Sequence, residues 1–239
     1  MDKLHLDKHI SQQFDSDLEA LKSQVLEMGG VVEQQIINSV KALETADSKI
    51  AEGVIQVEDD VDMREVALDE QCTMVLACRQ PAASDLRMVL TVTKMIRDLE
   101  RMGDEAQKIA KMAIALSESG AAPGGYDAVR HMGSLVQKMV NSVLDAFARF
   151  DVAKALEVAK ADKQVDQEYK SAMREVVTYM MEDPRTIGRV MNILWALRSL
   201  ERIGDHARNI AEHVIFLVRG LDVRHTSIKE IEERLNRTN

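Results

Sequence analysis

The chain has 239 residues, a formal net charge of −9 and a pI near 5.2; 46% of it is hydrophobic and 30% charged. That is enough apolar material for one large domain or two small ones, while an acidic chain without a basic run is excluded as a default nucleic-acid binder, which needs clustered Lys and Arg. Three prolines, eleven glycines and 3% aromatics predict an all-α protein, and no Val/Ile/Thr alternation between hairpin turns argues for strands.

In chain order, the start MDKLHLDKHI lacks the basic opening and apolar core of a signal peptide. No apolar run reaches the roughly 18 residues of a membrane span, so the chain is expected to be cytosolic. Helical patterns cover 12–45, 48–79 and 83–118. Gly120-Ala-Ala-Pro-Gly-Gly125 then interrupts the chain, and further patterns cover 126–150, 153–182 and 185–219. Asp47 and Asp151 occupy N-cap positions, and Asp183-Pro184 reads as an N-cap followed by proline at the first helical position. Short connections make neighbours antiparallel. The predicted architecture is two three-helix bundles, 1–119 and 126–239, side by side, with one long six-helix arrangement as the alternative. Cys72 and Cys78 make no Cys-x-x-Cys motif and fall on a helical pattern; both read as buried free thiols in a reducing compartment.

The halves repeat. RDLERMGDEA (97–106) and RSLERIGDHA (198–207) stand 101 residues apart. Asn38-Ser39-Val40 matches Asn141-Ser142-Val143, and Val61-Asp62 matches Val165-Asp166. In the third helix of each half, Val89, Val92, Ile96, Leu99, Gly103, Ala106, Ala110 and Ala113, and likewise Val190, Ile193, Leu197, Leu200, Gly204, Ala207, Ala211 and Val214, step by three and four. This is a coiled-coil-like seam. A glycine inside a helix costs about 1 kcal/mol relative to alanine, so a seam glycine in both halves implies that a side chain there would block something.

Beside the glycines lie acid pairs at i, i+4, which share a helix face. They are Glu100/Asp104 and Glu201/Asp205 on the third helices, and Glu58/Asp62 and Asp162/Asp166 on the second. Two readings are open. The pairs are solvated charges, partly neutralised by Arg97, Arg101, Arg198 and Arg202. Alternatively, four carboxylates converge from two helices on a cation that prefers oxygen ligands: Mg²⁺, Ca²⁺, Mn²⁺ or iron. Zinc fits less well without a Cys/His set. The Glu-x-x-His motif of di-iron bundles is absent, as are phosphate-binding glycine loops and nucleophile elbows. His206 and His213 read as surface or boundary histidines rather than ligands.

DKHISQQFDSDLEAL at the start, MGGVVEQQI (28–36), RQPAASDLR (79–87), the two Leu-Glu-Arg-x-Gly-Asp motifs, LDAFARFD (144–151), VDQEY (165–169) and YMMEDPRTI (179–187) together resemble the PhoU family over nearly the whole chain. The resemblance implies two tandem three-helix bundles whose (Glu/Asp)-x-x-x-Asp motifs hold metal ions or clusters. Carried over, one site uses Glu58, Asp62, Glu100 and Asp104, and the other Asp162, Asp166, Glu201 and Asp205. It implies no catalysis, but a negative regulator of the phosphate-starvation response: an adaptor, usually dimeric, peripheral to the inner membrane. Such a protein links the Pst phosphate transporter, through its cytoplasmic ATPase subunit, to the sensor kinase PhoR, and restrains uptake. Arg79-Gln80-Pro81 with Asp85 and Arg87 reads either as an exposed docking surface or as ordinary capping and turn chemistry. A carboxylate-bridged metalloenzyme and a metal-free helical scaffold are the alternatives.

Overall fold

A computed structural model describes residues 12–79, 81 and 83–237. The stretch read as lacking a signal peptide (1–10), the first five residues of the opening motif (7–11), Gln80, Ala82 and the outermost ends of both bundles lie outside the described residues. Six long helices follow in order: α1 (Gln12–Thr45), α2 (Ser48–Arg79), α3 (Ala83–Ser119), α4 (Tyr126–Arg149), α5 (Val152–Glu182) and α6 (Ile187–Arg219). Among the described residues there is no strand, and no helix is long and apolar enough to cross a membrane.

Helices α1–α3 pack on one another, as do α4–α6, and the two bundles meet through α3 against α6 and α1 against α4. Every seam residue of both third helices is buried. The buried apolar side chains form one cluster running through both halves, so α3 and α6 serve their own bundle and the junction between bundles at once. Burying a Val, Leu or Ile side chain contributes about 1.5–3 kcal/mol, which places most of the stabilisation along this central pair.

The turns repeat as well. Ala46 and Phe150 both take left-handed backbone, φ 51° and 55°. The next residue in each case caps the following helix: Asp47 Oδ1 accepts from the backbone N–H of Lys49 and Ile50, and Asp151 Oδ1 from that of Lys154. At Asp183 the expected cap is present, but Pro184–Thr186 form a 3₁₀ turn and α6 starts only at Ile187. A seventh helix, α7 (Ile228–Arg237), was not expected. It opens on a capping box in which Ser227 Oγ accepts from Glu230 N–H while Glu230 Oε2 accepts from Ser227. It buries Ile231 and Leu235 and touches α5. Both cysteines are free, but only Cys72 is buried; Cys78, near the C-terminal end of α2, faces solvent, contrary to the sequence reading.

Candidate metal centres

In the first half, Glu58 on α2 is buried at 3% exposure, although it is a carboxylate. Gly103 makes this possible: a Cβ there would stand 2.8 Å from Glu58 Oε2 and 3.1 Å from Gln35 Oε1. Gln35 reaches in from α1 and donates to Glu58 Oε2 at 2.7 Å, while Glu58 Oε1 is buried without a hydrogen-bond partner. Asp62 is exposed; Glu100 and Asp104 are half-buried on α3. Burial drives the Glu58 carboxyl up; the Gln35 hydrogen bond opposes this, and the charges of Asp62, Asp104 and Glu100 add to it, leaving Glu58 at about 7. Burial, with Asp104, Glu65 and Asp62, also raises Glu100.

Glu65 belongs to this cluster but was not foreseen. Burial raises it, Arg97 opposes, and Asp69 and Asp62 push it further. Its signal was available: Glu58, Asp62, Glu65 and Asp69 step by four, three and four along α2. At the equivalent places α5 has Tyr169 and Met173, so the first cluster is the more acidic of the two.

In the second half, Asp162 is buried, Asp166 half-buried and Asp205 exposed. Among the described residues, these three alone each bring a carboxylate oxygen within 4.8 Å of the others. Burial raises Asp162 against the opposing Arg208, and raises Asp205 together with the charge of Asp166. Glu201 is raised by burial and Asp205; its Oε2 is buried without a hydrogen-bond partner, while its Oε1 accepts from Arg198 at 2.7 Å. Arg208 donates to Asp162 Oδ2 at 3.1 Å. Gly204 plays a different part from Gly103: a Cβ there would meet Val165 Cγ1 of α5 at 3.3 Å. One glycine makes room for a buried carboxylate, the other for a neighbouring helix.

The neutralising arginines are thus only partly present. Arg198 engages Glu201, but Arg202 pairs with Glu105, 3.1 Å away and outside the eight acids. Three carboxylate oxygens that converge in the second half, six carboxyls raised above their ordinary values and two carboxylate oxygens buried without a partner make a donor set that suits a hard cation, which would replace mutual repulsion by coordination.

His206 and His213 are not at the surface. Both are buried, and both face Asp98 of α3: His206 Nδ1 lies 2.9 Å from Asp98 Oδ1 and His213 Nε2 3.2 Å from Oδ2, with Asn209 Nδ2 donating to Oδ1 at 3.2 Å. Of the expected docking residues, Arg79 is exposed and paired with Asp17 at 3.0 Å. Asp85 is buried in the first turn of α3 and so forms no part of an exposed surface, while Arg87 donates to the Leu217 carbonyl at 3.2 Å. Arg87 thus joins the start of α3 to the end of α6.

In chelator-treated protein the folded Glu58 holds its proton to about pH 7, whereas the unfolded one releases it near 4.5. The folded state therefore binds more protons between these values, and stability falls as pH rises through them, by about 3 kcal/mol in all. Urea unfolding from pH 4.5 to 7.5 checks this, with Glu58→Gln expected to flatten the profile. Gly204→Ala is expected to be near neutral, since about 1 kcal/mol of helix propensity offsets a contact that Val165 can relieve. Gly103→Ala should dislodge Glu58 and weaken cation binding in the first half alone, which calorimetric titration with Mn²⁺ reads directly.

The comparisons with known proteins agree with this architecture. The PhoU domain matches twice, over residues 25–113 and 129–214, one copy per bundle. The phosphate-specific transport system accessory protein PhoU homolog of Pseudomonas aeruginosa is 58% identical over 235 residues, covering 98% of this chain and 97% of that protein. The phosphate-specific transport system accessory protein PhoU of Escherichia coli is 44% identical over the same length, 98% of this chain and 97% of that one. The crystal structure of PhoU from Pseudomonas aeruginosa superposes with a TM-score of 0.86 at 60% identity, covering 87% of this chain and all (100%) of that one. The phosphate transport system regulatory protein PhoU from Streptococcus pneumoniae gives 0.81 at 32% identity, covering 88% and 99%. With both halves matched and relatives this similar over their full length, the chain belongs to the PhoU family.

Proposed function

We propose that this protein is a metal-binding adaptor that negatively regulates the response to phosphate starvation. It restrains uptake through the Pst phosphate transporter, meeting its cytoplasmic ATPase subunit, and couples that transporter to the sensor kinase PhoR. The observation that carries this reading is the pair of acid clusters, one per bundle, built on α2/α3 and α5/α6 of a chain whose relatives are named accessory proteins of phosphate-specific transport. The family is one of accessory regulatory proteins, not enzymes.

Glu58, Asp62, Glu100 and Asp104 hold one cation, and Asp162, Asp166, Glu201 and Asp205 the other. All are oxygen donors, which favours Mg²⁺, Ca²⁺, Mn²⁺ or iron. The cations relieve the crowded carboxylates and stiffen the helix pairs that a partner must recognise. On this reading the units 1–119 and 126–239 act as a repeated platform, as a homodimer, associated with the inner membrane only through its partners. Deleting the gene should switch on alkaline phosphatase in phosphate-rich medium, and a plasmid copy should silence it again. Continued repression in the deletion strain overturns the adaptor reading.

A further inference from the structure

A groove of about 610 Å³ opens beside the second acid cluster and shares Asp205 with it. Arg198, Arg202, Arg208, Arg224 and His225 line it, against the acids Asp205 and Glu212. His206 and Asn209 also line it, and both are hydrogen-bonded to the buried Asp98. Four guanidinium groups around one concavity are the donor set that suits a tetrahedral oxyanion.

Each arginine is engaged by an acid. Arg224 pairs with Asp222 at 2.6 Å and Arg202 with Glu105 at 3.1 Å. Arg208 is shared between Asp162 and Glu212, 3.1 Å from each, and Arg198 holds Glu201. The groove is therefore balanced as it stands. Two of those acceptors, Asp162 and Glu201, are in the second acid cluster. A cation drawing on these carboxylates takes them from Arg208 and Arg198 and repels both guanidinium groups. Both already border the groove, and their freed N–H donors add to those of Arg202 and Arg224.

We infer that the groove is a latent site for a phosphate-class oxyanion, opened when a cation occupies the second acid cluster. This rests on the proposed metal binding in the second half. It has no equivalent in the first half, where Gln107 stands in the place of Arg208 and the buried Glu58 is held by the neutral Gln35. Linkage makes the effect reciprocal: the anion tightens the cation by the same factor that the cation tightens the anion.

The test is Mn²⁺ titration of the full chain, stripped with chelator and carrying Glu58→Gln and Glu100→Gln to silence the first half, with free Mn²⁺ read by electron paramagnetic resonance. Replacing chloride by inorganic phosphate at equal ionic strength is expected to tighten Mn²⁺ about 10-fold. Arg224→Gln, on a surface loop, should reduce the phosphate response and leave Mn²⁺ affinity in chloride unchanged. Arg208→Gln should tighten Mn²⁺ in chloride, since it removes a competitor, and also shrink the response to phosphate. A glycerol 3-phosphate arm separates sources: a response to free phosphate alone assigns the free anion, and an equal response to the ester assigns a phosphoryl group carried on a larger molecule. Mn²⁺ bound equally in chloride and phosphate overturns the coupling while leaving metal binding intact. A response undiminished by Arg224→Gln and Arg208→Gln places the anion on the metal alone and overturns the groove. Absence of bound Mn²⁺ in both buffers overturns the metal reading, and the coupling with it.

Discussion

Asp98→Ala is expected to destabilise the protein by about 3 kcal/mol, the cost of removing one member of a buried, hydrogen-bonded ionisable group. For a chain of this size that lowers Tm by about 6–12 °C. The reason is positional. Asp98 lies on α3, His206, Asn209 and His213 on α6, and all four sit where the two bundles meet. Taking away the carboxylate leaves two buried imidazoles and a half-buried amide without their acceptor. Asp98→Asn, which keeps a carbonyl oxygen, should lose less than half as much. The wild type should show an acid signature that Asp98→Ala lacks. Burial alone would raise this carboxyl, but the hydrogen bonds from His206, His213 and Asn209 outweigh it and bring it down to about 2, against an ordinary 3.8. The stabilisation is therefore complete above about pH 4 and fades as pH falls towards 2. Thermal unfolding across that window, on wild type and variant, checks both points.

Asp162→Asn with Asp205→Asn is expected to act in the opposite sense on the metal-free protein. Both carboxyls are raised, chiefly by burial, with the charges of Asp205 and Asp166 adding at Asp162 and that of Asp166 at Asp205, so neutralising them should leave metal-free stability unchanged or slightly higher. What should be lost is the response to cation. A bound ion at 100 times its Kd stabilises a fold by about 2.7 kcal/mol, which is a rise in Tm of about 5–11 °C here. The double variant should forfeit the part of that rise contributed by the second half and keep the rest. A scan with and without excess Mn²⁺ reads the difference. A pair of surface acids without a ligand would show no such response in either protein.

The helices were legible because period and punctuation agree. The seam residues from Val89 to Ala113 and from Val190 to Val214 step at helical spacing and are all buried, and Asp47 and Asp151 cap where they were expected to. The missed helix α7 carried its own signal, since Ser227 and Glu230 are spaced as a capping box; a strongly charged ten-residue segment after the repeat simply invited no third comparison. The acid pairs were legible as pairs because i, i+4 is set by one helix. Which oxygens meet across helices was not, because that depends on the depth of contact between α2 and α3 or α5 and α6. Gly103 and Gly204 show the difficulty: the same letter in the same motif admits a carboxylate in one half and Val165 in the other. The Asp98 cluster was hidden for a related reason. The repeat draws attention to what matches, whereas Asp98 and His206 sit where the two copies of the motif differ, opposite Ser199 and Glu105. At a junction between two similar helices, those mismatched positions are where a cross-pair can form.

The most direct test of the account is elemental analysis of the full chain purified without chelator, comparing wild type with Glu58→Gln/Glu100→Gln and with Asp162→Asn/Asp205→Asn. Metal bound in both halves of the wild type, with each double variant losing the share of its own half and keeping that of the other, is the result the account predicts. Metal content unchanged in both double variants, or a wild type free of metal after saturation and desalting, would contradict it.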